Sequence, residues 1–218
     1  MSLPPGSRRR RYNELAGTDF GRLAGISDGI FSVGMTLLVL GLGVQVLSGG
    51  QTTETQLWNY LKGLGPNVLV YTMSFMTLGI FWVGQGTQMS RLVRSNRHYA
   101  WIHLGFLFAV TLVPFSTALL AHFPMLHVAV VEYWLNIVLL GFMLLAALEY
   151  GVRAHLFDEA GLEEMVRLVR GRIWLAQAMY AVAVALSIVF PTWVSIVGIA
   201  LIQLNYVLAP RIPFLDRF

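Results

Sequence analysis

A long apolar segment near the start of the chain contains one carboxylate, and this combination constrains the fold more than any other feature. Residues 22–47 read RLAGISDGIFSVGMTLLVLGLGVQVL, with Arg22 at the start and Asp28 inside the segment. A carboxylate in hydrocarbon costs at least about 2.5 kcal/mol on insertion scales, so it needs a partner or a function. The segment is too long for the core of a signal peptide and has no small-residue cleavage site after it. It therefore predicts a retained transmembrane helix with a functional or hydrogen-bonded polar group near its inner end.

Five further segments are long enough to cross the membrane, because a helix rises about 1.5 Å per residue and the hydrocarbon core is about 30 Å thick. The six predicted spans are 22–47, 66–89, 99–121, 128–150, 172–190 and 192–209. Only 12% of the residues are charged, whereas a soluble domain carries about 25%. The sequence therefore predicts an all-α, multi-pass membrane protein. We expect one transmembrane domain over 22–209, between a basic N-terminal segment (1–21) and a C-terminal tail (210–218).

The basic residues predict the orientation of these spans. Of the fifteen Lys and Arg residues, only Lys62 falls in a connection on the predicted outer side. Because cytoplasmic loops are enriched in Lys and Arg, both termini are predicted to lie in the cytoplasm of a cell-membrane protein. The arginine run at 8–11 is explained by this orientation signal with some attraction to anionic lipid; nucleic acid is the less favoured partner. We expect 156–171 to form a short cytoplasmic helix and 48–65 to form an external loop.

Helical spacing divides the first span into two faces. At about 100° per residue, one stripe runs along the whole span and is apolar except for Arg22 and Thr36. Its members are Arg22, Ile26, Gly29, Val33, Thr36, Leu37, Leu40, Val44 and Leu47. Lipid contact or ordinary helix packing would also produce such a stripe, so periodicity alone does not assign its function.

Ser27 and Asp28 fall on the other side of the span and predict a hydrogen-bonded clasp within the bundle. Because they point away from the stripe, we favour this clasp over ligands for a transported ion. Trp82, Gln85 and His103 are predicted at a matching depth, about 9 Å from the inner interface. Indole, amide and imidazole groups are suitable donors to a carboxylate that has left water.

Arg22-x-x-x-Ile26-Ser27-Asp28-Gly29 resembles the R-x-x-x-F-S-D signature of the transmembrane-protein-175 family, the lysosomal potassium channel family with a prokaryotic single-repeat branch. Residues 79–82 (GIFW), followed by Arg91, and residues 112–117 (LVPFST) are also similar to that family. The resemblance covers essentially the whole chain. It implies a potassium-permeable channel built from six-helix subunits as a homotetramer, with no re-entrant pore loop and no TVGYG-type filter.

The resemblance also implies that the first helices line the pore and narrow it with aliphatic rings. Carried over by the motif, the constriction falls on Val33, the hydroxyl layer on Thr36 and the outer ring on Leu40, with Leu37 on the same stripe. Such rings form a hydrophobic gate. The permeant ion is expected to be K⁺, other monovalent cations being possible.

Three positions depart from the family pattern. Ile26 replaces the aromatic residue of the signature, Gln85 replaces a histidine common in the second span, and Gly41 stands where an acidic residue often ends the first span. These departures bear on gating and selectivity more than on the fold.

Two other functions remain open at this point. A proton-coupled secondary transporter would use Asp28, His103, Glu132 and Glu149 as a relay, although the chain shows no inverted repeat. A non-transporting membrane scaffold is the other alternative. An enzyme is not expected, since the chain has no HExxH or GxSxG motif and no cysteine. Neither a cofactor nor a bound metal is expected.

Overall fold

The computed structural model describes residues 19–42 and 53–208, and within these ranges it contains helices and no β-strand. The α-helices are α1 (Phe20–Leu40), α2 (Glu54–Gly63), α3 (Gly65–Met89), α4 (Arg97–His122), α5 (His127–Arg153), α6 (Leu162–Ala185) and α7 (Thr192–Leu208). The all-α prediction is therefore confirmed. The arginine run at 8–11, the stripe residues Val44 and Leu47, and the C-terminal tail lie outside the described residues.

Five of the described helices are long and apolar enough to cross a membrane: Gly21–Leu40, Gly65–Met89, Arg97–His122, His127–Arg153 and Leu162–Ile188. The helix Thr192–Leu208 is apolar but shorter, with 17 residues. The count of six spans, the domain limits and the side of the termini stay predictions.

Two connections differ from their predicted form. The segment predicted as an external loop contains α2, which begins with a capping box: Thr53 and Gln56 each satisfy a backbone N–H of the other. The predicted short helix over 156–171 is not separate from the fifth span. A single helix, α6, starts after Gly161, which has a left-handed φ of 69°, and continues through a 3₁₀ turn to Ile188. No proline interrupts this stretch, and Gly171 costs a helix only about 1 kcal/mol.

The core lies between α3, α4, α5, α6 and α7, with the broadest packing between α4 and α5. The first helix is peripheral and packs chiefly on α3 and α4. Its inward-facing Phe31 meets Phe106 of α4 with ring centroids 6.0 Å apart. One side of α1 is thus attached to the bundle and the other side is left uncovered.

A buried hydrogen-bonded hub occupies the middle of the bundle. Gln203 Nε2 donates to Thr77 Oγ1 (2.7 Å), which is bonded to the Tyr133 hydroxyl (2.9 Å). Ser74 Oγ donates to the same hydroxyl (3.2 Å), and Thr117 Oγ1 donates to Ser74 (2.7 Å). These five side chains come from α3, α4, α5 and α7, and none belongs to α1. These shared hydrogen bonds join the four helices into a connected scaffold.

The two arginine-containing connections pack against each other at one end of the bundle. Leu92 and Phe157 form an isolated antiparallel bridge, and Arg94 Nε donates to the His155 carbonyl oxygen (3.0 Å). The α3–α4 and α5–α6 connections therefore lie at the same end of the bundle, which is consistent with the charge pattern.

Candidate functional site

One face of α1 is buried against its own subunit. The buried residues recur every three or four positions, which is the spacing of a single helix face. They are Leu23, Ser27, Phe31, Gly34 and Leu38. Gly34 faces α3, and a Cβ at this position would make an ordinary 3.6 Å contact with Leu78 Cδ1.

Another face of α1 is the stripe predicted from the sequence, and none of the described helices covers it. Val33 is 55% exposed, Leu37 45% and Leu40 72%. The other described members, Arg22, Ile26, Gly29 and Thr36, are exposed as well. Packing against the described helices therefore does not explain the stripe.

Thr36 is the single hydroxyl on the described part of the stripe between Val33 and Leu40. Its Oγ1 donates to the Val33 carbonyl oxygen at 2.9 Å. Because the hydroxyl proton is engaged with the backbone, the lone pairs of the oxygen are left to accept. The exposed face thus offers one oxygen ligand for a cation between two aliphatic positions.

Ser27 attaches α1 to α4 through a fully buried bond. Its Oγ donates to the Leu23 carbonyl oxygen (2.7 Å) and is bonded to His103 Nε2, also at 2.7 Å. Since the single hydroxyl proton of Ser27 goes to Leu23, the imidazole must donate through Nε2. The ring of His103 stacks on Tyr99 with an interplanar angle of 11°, which fixes its orientation.

Asp28 attaches α1 to α3 through a second bond, at the exposed surface of the subunit. Its Oδ1 accepts from Trp82 Nε1 at 2.9 Å. The buried amide of Gln85 contacts the Met89 sulfur instead. The structure therefore brings Asp28 together with Trp82 and Ser27 together with His103, and it gives Gln85 a separate contact.

The exposure of Asp28 restricts what can cover the exposed face of α1. Hydrocarbon around this carboxylate would cost at least about 2.5 kcal/mol, and one indole donor satisfies only part of its bonding capacity. Water or a second subunit satisfies a carboxylate, whereas acyl chains do not. Lipid contact along the whole exposed face is therefore disfavoured.

Asn136 supports α4 at Pro114, and this contact was not evident from the sequence. Its amide nitrogen donates to the Ala109 carbonyl oxygen (3.1 Å), and its amide oxygen accepts from the Val113 N–H (3.1 Å) and from Ser116 Oγ (2.9 Å). The Asn136 amide therefore links the Ala109 carbonyl oxygen to the Val113 N–H, which an uninterrupted helix would bond directly to each other, in the turn that precedes Pro114. The polar residue facing an intramembrane proline was the only available signal.

The described residues contain no group of three or more His, Cys, Asp or Glu side chains that could hold a metal ion.

Comparisons with known proteins converge on one family. A family model described as the endosomal/lysosomal potassium channel TMEM175 matches residues 22–114, which include nearly all of α1, all of α2 and α3, and most of α4. A potassium channel of Streptomyces collinus is 32% identical over 174 residues, which cover 78% of this chain and 82% of that protein. A potassium channel of Chamaesiphon minutus is 33% identical over 119 residues, covering 53% and 58% respectively.

A solved structure has the same fold. It is the crystal structure of a lysosomal potassium-selective channel TMEM175 homolog from Chamaesiphon minutus, and it matches with a TM-score of 0.73 at 25% identity. The match covers 88% of this chain and 98% of that chain.

Proposed function

The chain belongs to the TMEM175 potassium channel family, and on that basis we propose that it forms a homotetrameric, potassium-permeable cation channel whose pore is lined by α1. It is a multi-pass membrane protein, for which the cell membrane is the expected location. The observation that supports the proposal most strongly is the uncovered face of α1, because it carries Val33, Thr36 and Leu40 together.

Four copies of this face would make a pore with two apolar necks. Val33 and Leu40 are seven residues apart, so their rings would be separated by about 10.5 Å along the helix axis. Narrow aliphatic rings oppose ion passage by excluding water. Thr36 lies between them, where four hydroxyl oxygens would replace part of the hydration shell of a K⁺ ion.

The tetramer is supported by what α1 leaves uncovered. About half of the circumference of this helix is left uncovered by the described residues, and the Asp28 carboxylate, although bonded to Trp82, is exposed on that half. Neighbouring subunits on the flanks and water in the pore would cover it without placing a charge against acyl chains.

The attachment of α1 supports gating by movement of this helix. The hub ties α3, α4, α5 and α7 to each other, whereas α1 is held by the Ser27–His103 and Asp28–Trp82 bonds near its inner end and by apolar packing. The outer part of α1 is thus less constrained by polar contacts than the scaffold. A displacement of α1 would widen or narrow the necks directly.

The proton-coupled transporter is less well supported. Its four candidate relay groups each have a different hydrogen-bond partner: Trp82 for Asp28, Ser27 for His103, Ser116 for Glu132 and Arg170 for Glu149. These partners distribute the groups among separate local contacts rather than one continuous proton path.

Current recordings from purified protein in planar bilayers test the proposal. With a K⁺ gradient and equal pH on both sides, we expect channel-like unitary currents that reverse near the K⁺ equilibrium potential. Imposing a pH gradient should leave the reversal potential unchanged. A reversal potential that follows the pH gradient would favour the transporter, and no current at all would favour the scaffold. Native mass spectrometry of the same sample should give four subunits.

A further inference from the structure

The end of α1 packs against a tyrosine of α3. Gly41 follows the last residue of α1, and a Cβ at this position would lie 2.8 Å from both Cε1 and Cζ of Tyr71 and would overlap its hydroxyl oxygen. Real Cβ atoms essentially never approach other atoms so closely. The φ of Gly41 is −68°, a value that any residue adopts. Position 41 therefore requires glycine because of the tyrosine ring and not because of its backbone conformation.

Tyr71 is held in place by its surroundings. Its side chain is 5% exposed and belongs to the main apolar core of the bundle. Its hydroxyl has no hydrogen-bond partner among the described residues. A phenylalanine would fill the core without burying an unsatisfied hydroxyl. The oxygen that the tyrosine adds lies directly against Gly41.

We propose that Tyr71 is a positioning residue for the outer constriction, because it sets the distance between the end of α1 and α3 and thereby the position of Leu40. This rests on the proposed function, in which Leu40 faces the pore. Gly41 is exposed but lies on the same side of the helix as the buried Gly34 and Leu38, whereas the adjacent Leu40 lies on the uncovered face. Pushing Gly41 away from Tyr71 moves Leu40 toward the side where the pore and the neighbouring subunits lie.

A set of four variants tests this contact by unitary conductance in planar bilayers. Gly41→Ala should lower the conductance several-fold, because the added methyl group displaces the end of α1. Tyr71→Leu removes the atoms that the methyl group would meet, so Gly41→Ala combined with Tyr71→Leu should return to the conductance of Tyr71→Leu alone. Gly34→Ala is the matched control on the same helix face. Its added Cβ would make an ordinary 3.6 Å contact with Leu78, and its conductance should equal that of the wild type.

Unitary conductance is the appropriate quantity because misfolding lowers the number of channels and not the current through each one. If Gly41→Ala gives no channels, the addition of Tyr71→Leu must restore them. Failure of that restoration, or a wild-type conductance in Gly41→Ala, overturns the role of Tyr71.

Leu40→Ala, recorded in parallel, separates this result from the proposed function. An altered conductance in Leu40→Ala with an unaltered one in Gly41→Ala rejects the positioning role alone. An unaltered conductance in Leu40→Ala rejects the pore position of Leu40 itself and with it the basis of the proposal.

Discussion

Truncation of Val33 to alanine tests the inner neck while leaving the subunit nearly intact. Val33 is 55% exposed, so less than half of its side chain touches its own subunit. A fully buried CH₂ is worth about 0.8 kcal/mol, and losing two carbon atoms that are slightly under half buried should destabilise the subunit by roughly 0.7 kcal/mol. A loss of this size does not unfold a domain. Any large change in current would therefore come from the pore.

The effect on conduction follows from the exposed part of the same two carbon atoms. On the same scale, the exposed part of these atoms corresponds to a transfer free energy of roughly 0.9 kcal/mol per subunit. If only one subunit's share appeared in the barrier to ion passage, the rate would rise about fourfold. The contributions of the other three subunits can only increase it. We therefore expect Val33→Ala to raise the unitary conductance by at least this factor.

Val39→Ala provides a matched control. Val39 lies on the same helix and is 61% exposed, but at about 100° per residue it points about 120° away from Val33. The same atoms are removed from an equally exposed position that does not face the proposed pore. Both variants should be recorded in symmetric K⁺. An equal response of the two, including no response in either, would refute the assignment of Val33 to the neck.

Three further changes have distinct expected outcomes. Trp82→Phe removes the N–H that donates to Asp28 at 2.9 Å. A hydrogen bond to a charged group is worth about 1.5–3 kcal/mol. The open probability in single-channel records should therefore shift about tenfold or more, while the conductance of the open channel is kept. Thr36→Val keeps the side-chain shape without the hydroxyl and should lower the K⁺ to Na⁺ permeability ratio obtained from reversal potentials; an unchanged ratio would remove Thr36 from the ion path. Glu149→Gln breaks the 2.6 Å ion pair between Glu149 (30% exposed) and Arg170 (46% exposed). Such exposed pairs contribute less than about 1 kcal/mol. The midpoint of thermal unfolding should therefore shift only slightly, and the currents should be unaltered.

The two faces of α1 were accessible from the sequence because this helix is attached to the bundle on one side only. Its buried positions, such as Phe31 and Leu38, repeat at helical spacing, and the exposed positions Val33 and Leu40 repeat between them. A helix that is covered all round would have shown no such division. The depth of Trp82 and His103 followed from counting residues inward from the arginines.

The identity of contact partners was not accessible in the same way, because it depends on how helices pack. Glu149 has Arg153 four residues away on its own helix, yet it pairs with Arg170 of α6. That choice requires α6 to be one continuous helix lying along α5, which the mixed charge of its first turns concealed. The contact of Gly41 with Tyr71 joins two positions thirty residues apart that share no pattern in the sequence.

The hub has a consequence for biogenesis. The first helix leaves the ribosome and enters the bilayer before any of the others, but the four helices joined by the hub are all synthesised after it. Until α3 and α4 have been synthesised, neither the Ser27–His103 nor the Asp28–Trp82 bond can form, and in the proposed tetramer the uncovered half of α1 is covered only when neighbouring subunits assemble. The helix α1 is thus synthesised before the four helices of the hub but completes its packing after them. We therefore expect newly inserted subunits to depend on rapid assembly with other subunits to escape membrane quality control.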